Sequence, residues 1–378
     1  MSGFFAGGDL SPNRIELARR RSPGYIDLTS SNPTHQGLLF PPEILEAAAG
    51  RYLRARRYDP DPRGLLAARE AIVRYYAGRS PALALTLEDV FITASTSEAY
   101  LLLFTLLADP GDNLLAPAVS YPLFDYLAEI AHVELRPYAL DERRGWRIDP
   151  ASLLAQADAR TRAVLLVSPH NPTGAVVRAP IPALDQLGLP VICDEVFAAF
   201  PYAVPSVPPF GALHPRLPVF HLNGISKMFA LPDLKLGWIA LSGPASLRFG
   251  ERLELLNDTF LGANALTQSI LPALFAEGAD FVAAMRARVR ASLDVALGLL
   301  AACPRLRARP PDGGYYLFPE VFGWDDEEAL ALHLLDHGVL AHPGYFYGCE
   351  RGAHLMLSCL TEPVALAEGL RRLVAALG

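Results

Sequence analysis

Between residues 90 and 241, short apolar runs alternate with stretches whose apolar positions recur every three to four residues. The runs at 90–93, 113–116, 133–137, 163–168, 190–194, 219–223 and 237–241 read as strands, with amphipathic helices at 97–107 and 121–130. Strands buried on both faces lose the apolar–polar alternation of a one-sided sheet. The pattern therefore predicts an α/β fold, a mostly parallel central sheet with helices on both faces. Ligands of such sheets gather beyond the carboxyl ends of the strands.

After about residue 266 the texture changes. A long helical pattern covers 281–302, followed by a strand at 315–318, a helix at 326–337, strands at 339–341 and 354–358, and a last helix at 364–377. This predicts a smaller α+β domain. Residues 1–42 are loop-rich, with the turn sequence Ser31-Asn32-Pro33-Thr34, and read as an amino-terminal arm and part of the small domain. Residues 43–265 then form the large α/β domain and 266–378 the small carboxyl-terminal one. The proline-rich stretch 201–218 reads as a long loop of the large domain, where long loops are often functional.

Composition narrows the function classes. The chain has 378 residues, 51% apolar and 19% charged, which suits a folded protein with a sizeable core. Its net charge of −7 leaves few unopposed cations, so nucleic acid is not expected as a partner. The start, Met1-Ser2-Gly3-Phe4-Phe5, lacks a basic segment followed by an apolar leader, and the apolar runs at 101–108 and 295–303 are too short to span a bilayer. Cys193, Cys303, Cys349 and Cys359 have no metal-ligand spacing. A cytoplasmic protein with reduced thiols, no membrane contact and no metal is expected.

The basic residues carry a sharper signal. Of the 33, only Lys227 and Lys235 are lysine, eight residues apart in Asn223-Gly224-Ile225-Ser226-Lys227-Met228-Phe229-Ala230-Leu231-Pro232-Asp233-Leu234-Lys235. A chain that uses arginine wherever a surface cation will do keeps lysine for what arginine cannot perform, chiefly amine chemistry. An amine deprotonates and condenses with a carbonyl, whereas guanidinium stays charged.

Three strand ends then recur in order. The run at 163–168 leads to Pro169-His170-Asn171-Pro172-Thr173-Gly174, the next to Asp194-Glu195-Val196-Phe197, and the next to Ser226-Lys227. Alone, the first is an ordinary turn and the second an ordinary acidic helix start. Their order and strand-end placement together resemble the fold-type-I pyridoxal-phosphate enzymes, specifically the class I/II aminotransferases, over nearly the whole chain.

That resemblance implies an enzyme using pyridoxal 5'-phosphate to move an amino group between an amino donor and a 2-oxo acid, and a homodimer with active sites at the subunit interface. It implies that Lys227 holds the cofactor as a Schiff base, Asp194 pairs with the pyridine nitrogen, Asn171 contacts the phenolic oxygen and Tyr121 stacks on the ring. Ser95, Thr96 and Ser97, at the head of an apolar helix, match a phosphate cradle of backbone N–H groups and hydroxyls. The same residues also read as a Ser/Thr cap followed by Glu98. Ser226, Lys235 and Tyr58 match the other phosphate contacts, Tyr58 from the neighbouring subunit. Asn32 in the arm matches a substrate approach, and also reads as a plain Asn-Pro turn.

The chain departs from the pattern at three positions. Phe197 stands where the family has a tyrosine whose hydroxyl lowers the Schiff-base pKa, unless Tyr202 supplies it. Lys235 replaces an arginine that forks onto the phosphate. Met356, in His354-Leu355-Met356-Leu357-Ser358, replaces the arginine that grips the substrate carboxylate, and Arg351 is the nearby substitute. A β-eliminating lyase or a decarboxylase on the same fold therefore stays open beside the aminotransferase. A non-catalytic sensor fused to a DNA-binding module fits poorly, because the chain is acidic and opens on the arm. A nicotinamide dehydrogenase lacks its GxGxxG fingerprint after a strand.

Overall fold

The computed structural model describes residues 11–378; the opening run Met1-Ser2-Gly3-Phe4-Phe5 lies outside the described residues, as does the rest of the first ten. Seven strands build the central sheet: β1 (Val90–Thr93), β2 (Asn113–Pro117), β3 (Glu134–Tyr138), β4 (Thr161–Val167), β5 (Val191–Asp194), β6 (Val219–Gly224) and β7 (Gly237–Ser242). Their spatial order is β1-β7-β6-β5-β4-β2-β3. All neighbours are parallel except β7, which runs antiparallel to both β1 and β6. The inner strands β5, β6 and β7 are buried at every position, which is why their sequences run apolar without alternation.

Helices cover both faces. α1 (Pro42–Ala55), α2 (Leu66–Ala77), α3 (Thr96–Leu107), α4 (Leu123–Ile130), α5 (Ile225–Met228), α6 (Ala265–Glu277), α7 (Ala279–Leu300) and α8 (Pro363–Leu377) are the ones that matter here. The apolar face of α3, with Ala99, Leu103 and Phe104, packs with Phe91, Phe220 and Ile239 of the sheet. On the other side, Leu166, Val191 and Val219 pack with Leu153, Leu184 and Phe210. α4 begins two residues later than the helix pattern at 121–130, because Pro122 occupies its N-cap and Tyr121 stays in the preceding loop.

A second, antiparallel sheet follows. β8 (Leu306–Arg307), β9 (Tyr316–Leu317), β10 (Glu320–Val321), β11 (His342–Pro343) and β12 (Ala353–Ser358) form it; β12 is the centre, paired with β9 and β10 on one edge and β11 on the other. The strand predicted at 315–318 is shortened to β9. The one predicted at 339–341 becomes Val339–Leu340, which pairs in parallel with Ile26–Asp27 of the amino-terminal segment. That segment is also tied to β12: Ser358 donates from N to Leu28 O (2.6 Å) and from Oγ to Ser30 O (2.7 Å). α7 and α8 share a core with β12. By contrast α6, which spans the change of texture at 266, packs Ile270, Leu271 and Leu274 in one core with Ile72 of α2 and with Ile92 and Trp238 of the central sheet.

Candidate active site

β4, β5 and β6 lie side by side and parallel, so the segments leaving their carboxyl ends converge. The β5 register pairs Asp194 with Val167 on one side and Leu222 on the other. A cleft of about 310 Å³ opens there. Lys227, Asp194, Asn171, Tyr121, Ser95, Thr96, Ser97, Ser226 and Lys235 all line it, together with Ser31, Tyr100, Phe124, Phe197 and Tyr316.

Local sequence explains each placement. Ser95 caps α3, its Oγ accepting from Glu98 N (3.1 Å), while Glu98 accepts from Ala94 N. The capping reading holds, and the helix start, whose first-turn N–H groups have no carbonyl to reach, is set at the cleft wall. Gly237 is what permits it. A Cβ there would stand 2.9 Å from Ser95 C and 3.0 Å from Thr96 N, so only glycine lets β7 pass against the helix start.

Asp194 is 6% exposed. Its Oδ1 accepts from Val196 N (2.9 Å) and its Oδ2 from the Tyr100 hydroxyl (2.7 Å). Burial raises its pKa to about 6 against the pull of these two donors, with Glu195 raising and Lys227 lowering it further. Burial lowers the Lys227 pKa, Asp194 raises it and Lys235 lowers it. Buried Asn171 Oδ1 has no hydrogen-bond partner. An amine held below its usual range, a carboxylate near it and a buried side-chain amide not fully used by the protein form a set of groups that fits pyridoxal phosphate.

Three of the predicted residues lie elsewhere. Tyr58 is 86% exposed and outside the cleft. Asn32 spends its Oδ1 on its own turn, accepting from Thr34 N (3.1 Å) and Oγ1 (2.8 Å), and its neighbour Ser31 lines the cleft. Arg351 lines a separate cavity of about 1040 Å³ with Glu142, Arg143, Arg307 and Glu320. Met356 is buried in the second sheet opposite His342 and lines neither cavity. Tyr202 turns its hydroxyl to Asp294 and does not replace the one missing at Phe197. Among the described residues, the cations lining the cleft are Lys227 and Lys235.

The model of the family described as aminotransferase class I and II matches residues 23–373. The chain belongs to this family. As a class I/II aminotransferase it is 28% identical over 380 residues to the alanine aminotransferase of Mycobacterium tuberculosis, a match covering 96% of this chain and 88% of that protein. It is 31% identical over 224 residues to the tyrosine aminotransferase of Dictyostelium discoideum, spanning 57% of this chain and only 53% of that one. In structure, this aminotransferase superposes on one from Escherichia coli with a TM-score of 0.88 at 26% identity, covering 100% of this chain and 98% of that one. These relatives support amino-group transfer and give no support to the lyase alternative.

Tyr100, Tyr316 and Ser31 were not singled out from sequence. Tyr100 had a signal, since it lies four residues after Thr96 and so on the same helix face. Ser31 and Tyr316 reach the cleft only through tertiary packing of the arm on the second sheet.

Proposed function

We propose that the chain transfers amino groups between an amino donor and a 2-oxo acid, using pyridoxal 5'-phosphate held in this cleft. The observation that carries the reading is the convergence of the Lys227 amine, the Asp194 carboxylate and the capped start of α3 in one cavity. When bound, the cofactor supplies an electron sink that makes the Cα proton of an amino substrate removable. Lys227 is the amine that would carry the cofactor and then move the Cα proton, a task its lowered pKa suits. Asp194 would keep the ring nitrogen protonated, Asn171 would contact the ring oxygen, and Tyr121 would cover the ring. Ser95, Thr96, Ser97, Ser226 and Lys235 would receive the phosphate.

The same reading makes the protein a homodimer in which Tyr58 reaches the partner's phosphate site. Its 86% exposure, with Leu53, Phe260 and Leu261 also exposed, supports this. The four cysteines are free and buried, which supports a cytoplasmic location, and no described helix is long and apolar enough to cross a membrane. We place the division between the two parts of the chain at Gly278, because α6 packs on the central sheet.

A single-turnover experiment tests the function. Cofactor-loaded protein is mixed with a panel of amino acids and amines without any acceptor. Loss of the visible cofactor band with release of a keto product supports transfer. A visible band that persists while ammonia or carbon dioxide is released refutes it.

A further inference from the structure

We propose that Tyr100 is a positioning residue that fixes Asp194, through one hydrogen bond, in the orientation and ionised state the cofactor ring needs. The inference rests on the cofactor reading above. It starts from helix geometry. Thr96 and Ser97 stand at the cleft wall, and Tyr100 lies four and three residues further on, on the same face of α3. Its ring, 3% exposed, is clamped between Phe124 (centroids 4.9 Å apart) and Phe104 (5.9 Å), which leaves the hydroxyl one destination. That destination is Asp194 Oδ2 at 2.7 Å.

The direction of the bond is settled by chemistry. Burial and the Asp194 charge push the Tyr100 pKa well above its ordinary value, so the phenol keeps its proton and donates. With Val196 N on the other oxygen, both carboxylate oxygens are pinned and the side chain cannot rotate without losing a charge-assisted bond. The charged groups facing Asp194 are Glu195 on its own segment, which disfavours the carboxylate, and Lys227 after β6, which favours it; Lys235 acts on Lys227. Against burial and Glu195, the Tyr100 hydroxyl is the one donor that comes from a different element, the same helix whose start is the phosphate cradle. One helix thus reaches the two ends of the cofactor, its phosphate directly and its ring nitrogen through Asp194.

The test uses Tyr100→Phe, which keeps the ring contacts and removes only the hydroxyl, and 3-fluorotyrosine incorporated at position 100, an isosteric phenol that donates more strongly. The Asp194 carboxyl is followed by carbon-13 NMR in cofactor-free protein, assigned with Asp194→Asn, and cofactor dissociation is followed by fluorescence across pH. The expected midpoint for Asp194 rises by about half to one unit in Tyr100→Phe and falls with fluorotyrosine. Near pH 6 cofactor binding weakens about three- to tenfold in Tyr100→Phe, because one unit is a factor of ten in the protonation equilibrium. A wild-type protein that binds and a Tyr100→Phe protein with the same midpoint and the same affinity overturn this proposal alone. Should Tyr100→Phe fail to fold, an unmoved midpoint with fluorotyrosine overturns it. A wild-type protein that does not bind pyridoxal phosphate at all overturns the cofactor reading as well.

Discussion

Phe197 meets Tyr316 edge-on, ring centroids 5.6 Å apart at 79°, and both rings border the cleft. The pair joins the end of the central sheet to the second sheet, since Phe197 follows β5 and Tyr316 opens β9. Phe197→Tyr should add the hydroxyl expected at this position and lower the spectral pH midpoint of the cofactor-loaded protein by about one unit, equivalent to about 1.4 kcal/mol. A spectrophotometric titration of both proteins checks it, and an unchanged midpoint would show that the cofactor oxygen already has its donor.

Lys227→Ala should reduce turnover by more than about a thousandfold, as its proposed roles of carrying the cofactor and moving the proton require. Lys235→Ala should instead weaken cofactor binding while leaving the residual turnover of loaded protein within about tenfold. Equilibrium binding and single-turnover rates, measured on both variants, separate the two roles. Wild-type turnover by Lys227→Ala would end the proposed mechanism.

Donor preference follows from the lining. Tyr121, Phe124, Phe197 and Tyr316 present aromatic surface, and among the described residues no guanidinium lines the cleft. Aromatic or apolar donors should therefore exceed aspartate in kcat/KM by at least about tenfold, the lower end of what one apolar contact discriminates. A donor panel that ranks aspartate first would contradict the prediction.

Asp194 makes the cofactor-free protein less stable than it need be. Its folded-state pKa of about 6 lies above the unfolded carboxylate value, so the native state binds the proton more tightly. Its stabilising share is full below the unfolded value and is lost as pH rises through about 6. Asp194→Asn should thus raise the unfolding free energy of the cofactor-free protein at pH 7 by up to about 3 kcal/mol, with the gain vanishing near pH 4. Urea unfolding at the two pH values tests it, while activity should be lost throughout.

The neighbouring carboxylate behaves oppositely. Glu195 is 1% exposed and accepts from His221 Nδ1 (2.8 Å), Phe210 N (3.1 Å) and Arg79 Nη1 (3.1 Å). Burial works against its charge, but His221 and Arg79 outweigh it and hold the pKa at about 2. Arg79→Met leaves that charge without its guanidinium and should cost about 3 kcal/mol in urea unfolding near neutral pH. A change below about 1 kcal/mol would mean that His221 alone suffices.

Most of the frame could be read from the chain because the central strands are buried on both faces and announce themselves as uninterrupted apolar runs. The strand ends that supply Asn171, Asp194 and Lys227 were legible for the same reason. Short strands of the second sheet were harder: β9 and β10 are two residues each and owe their pairing to β12 rather than to their own propensity. Tyr316 and Ser31 were hidden because their approach depends on the arm docking to Ser358, a contact across more than 300 residues. Arg351 was drawn toward the site by its position near Met356 in the sequence, but the turn before β12 faces the cavity beside Glu142 instead.

The antiparallel strand β7 sets the order in which this site comes into being. It lies between β1 and β6 and pairs Gly237 with both Thr93 and Gly224. Before residues 237–242 exist, the helix start at Ser95 and the lysine segment at 227 belong to strands with no bond between them. On the ribosome, a chain that ends ahead of Gly237 holds every residue of the proposed phosphate cradle, Lys235 included, yet lacks the strand that lies between the two pieces. In the proposed reading, cofactor capture would wait for this one strand, which closes the gap between a helix start made long before it and a lysine segment made just before it.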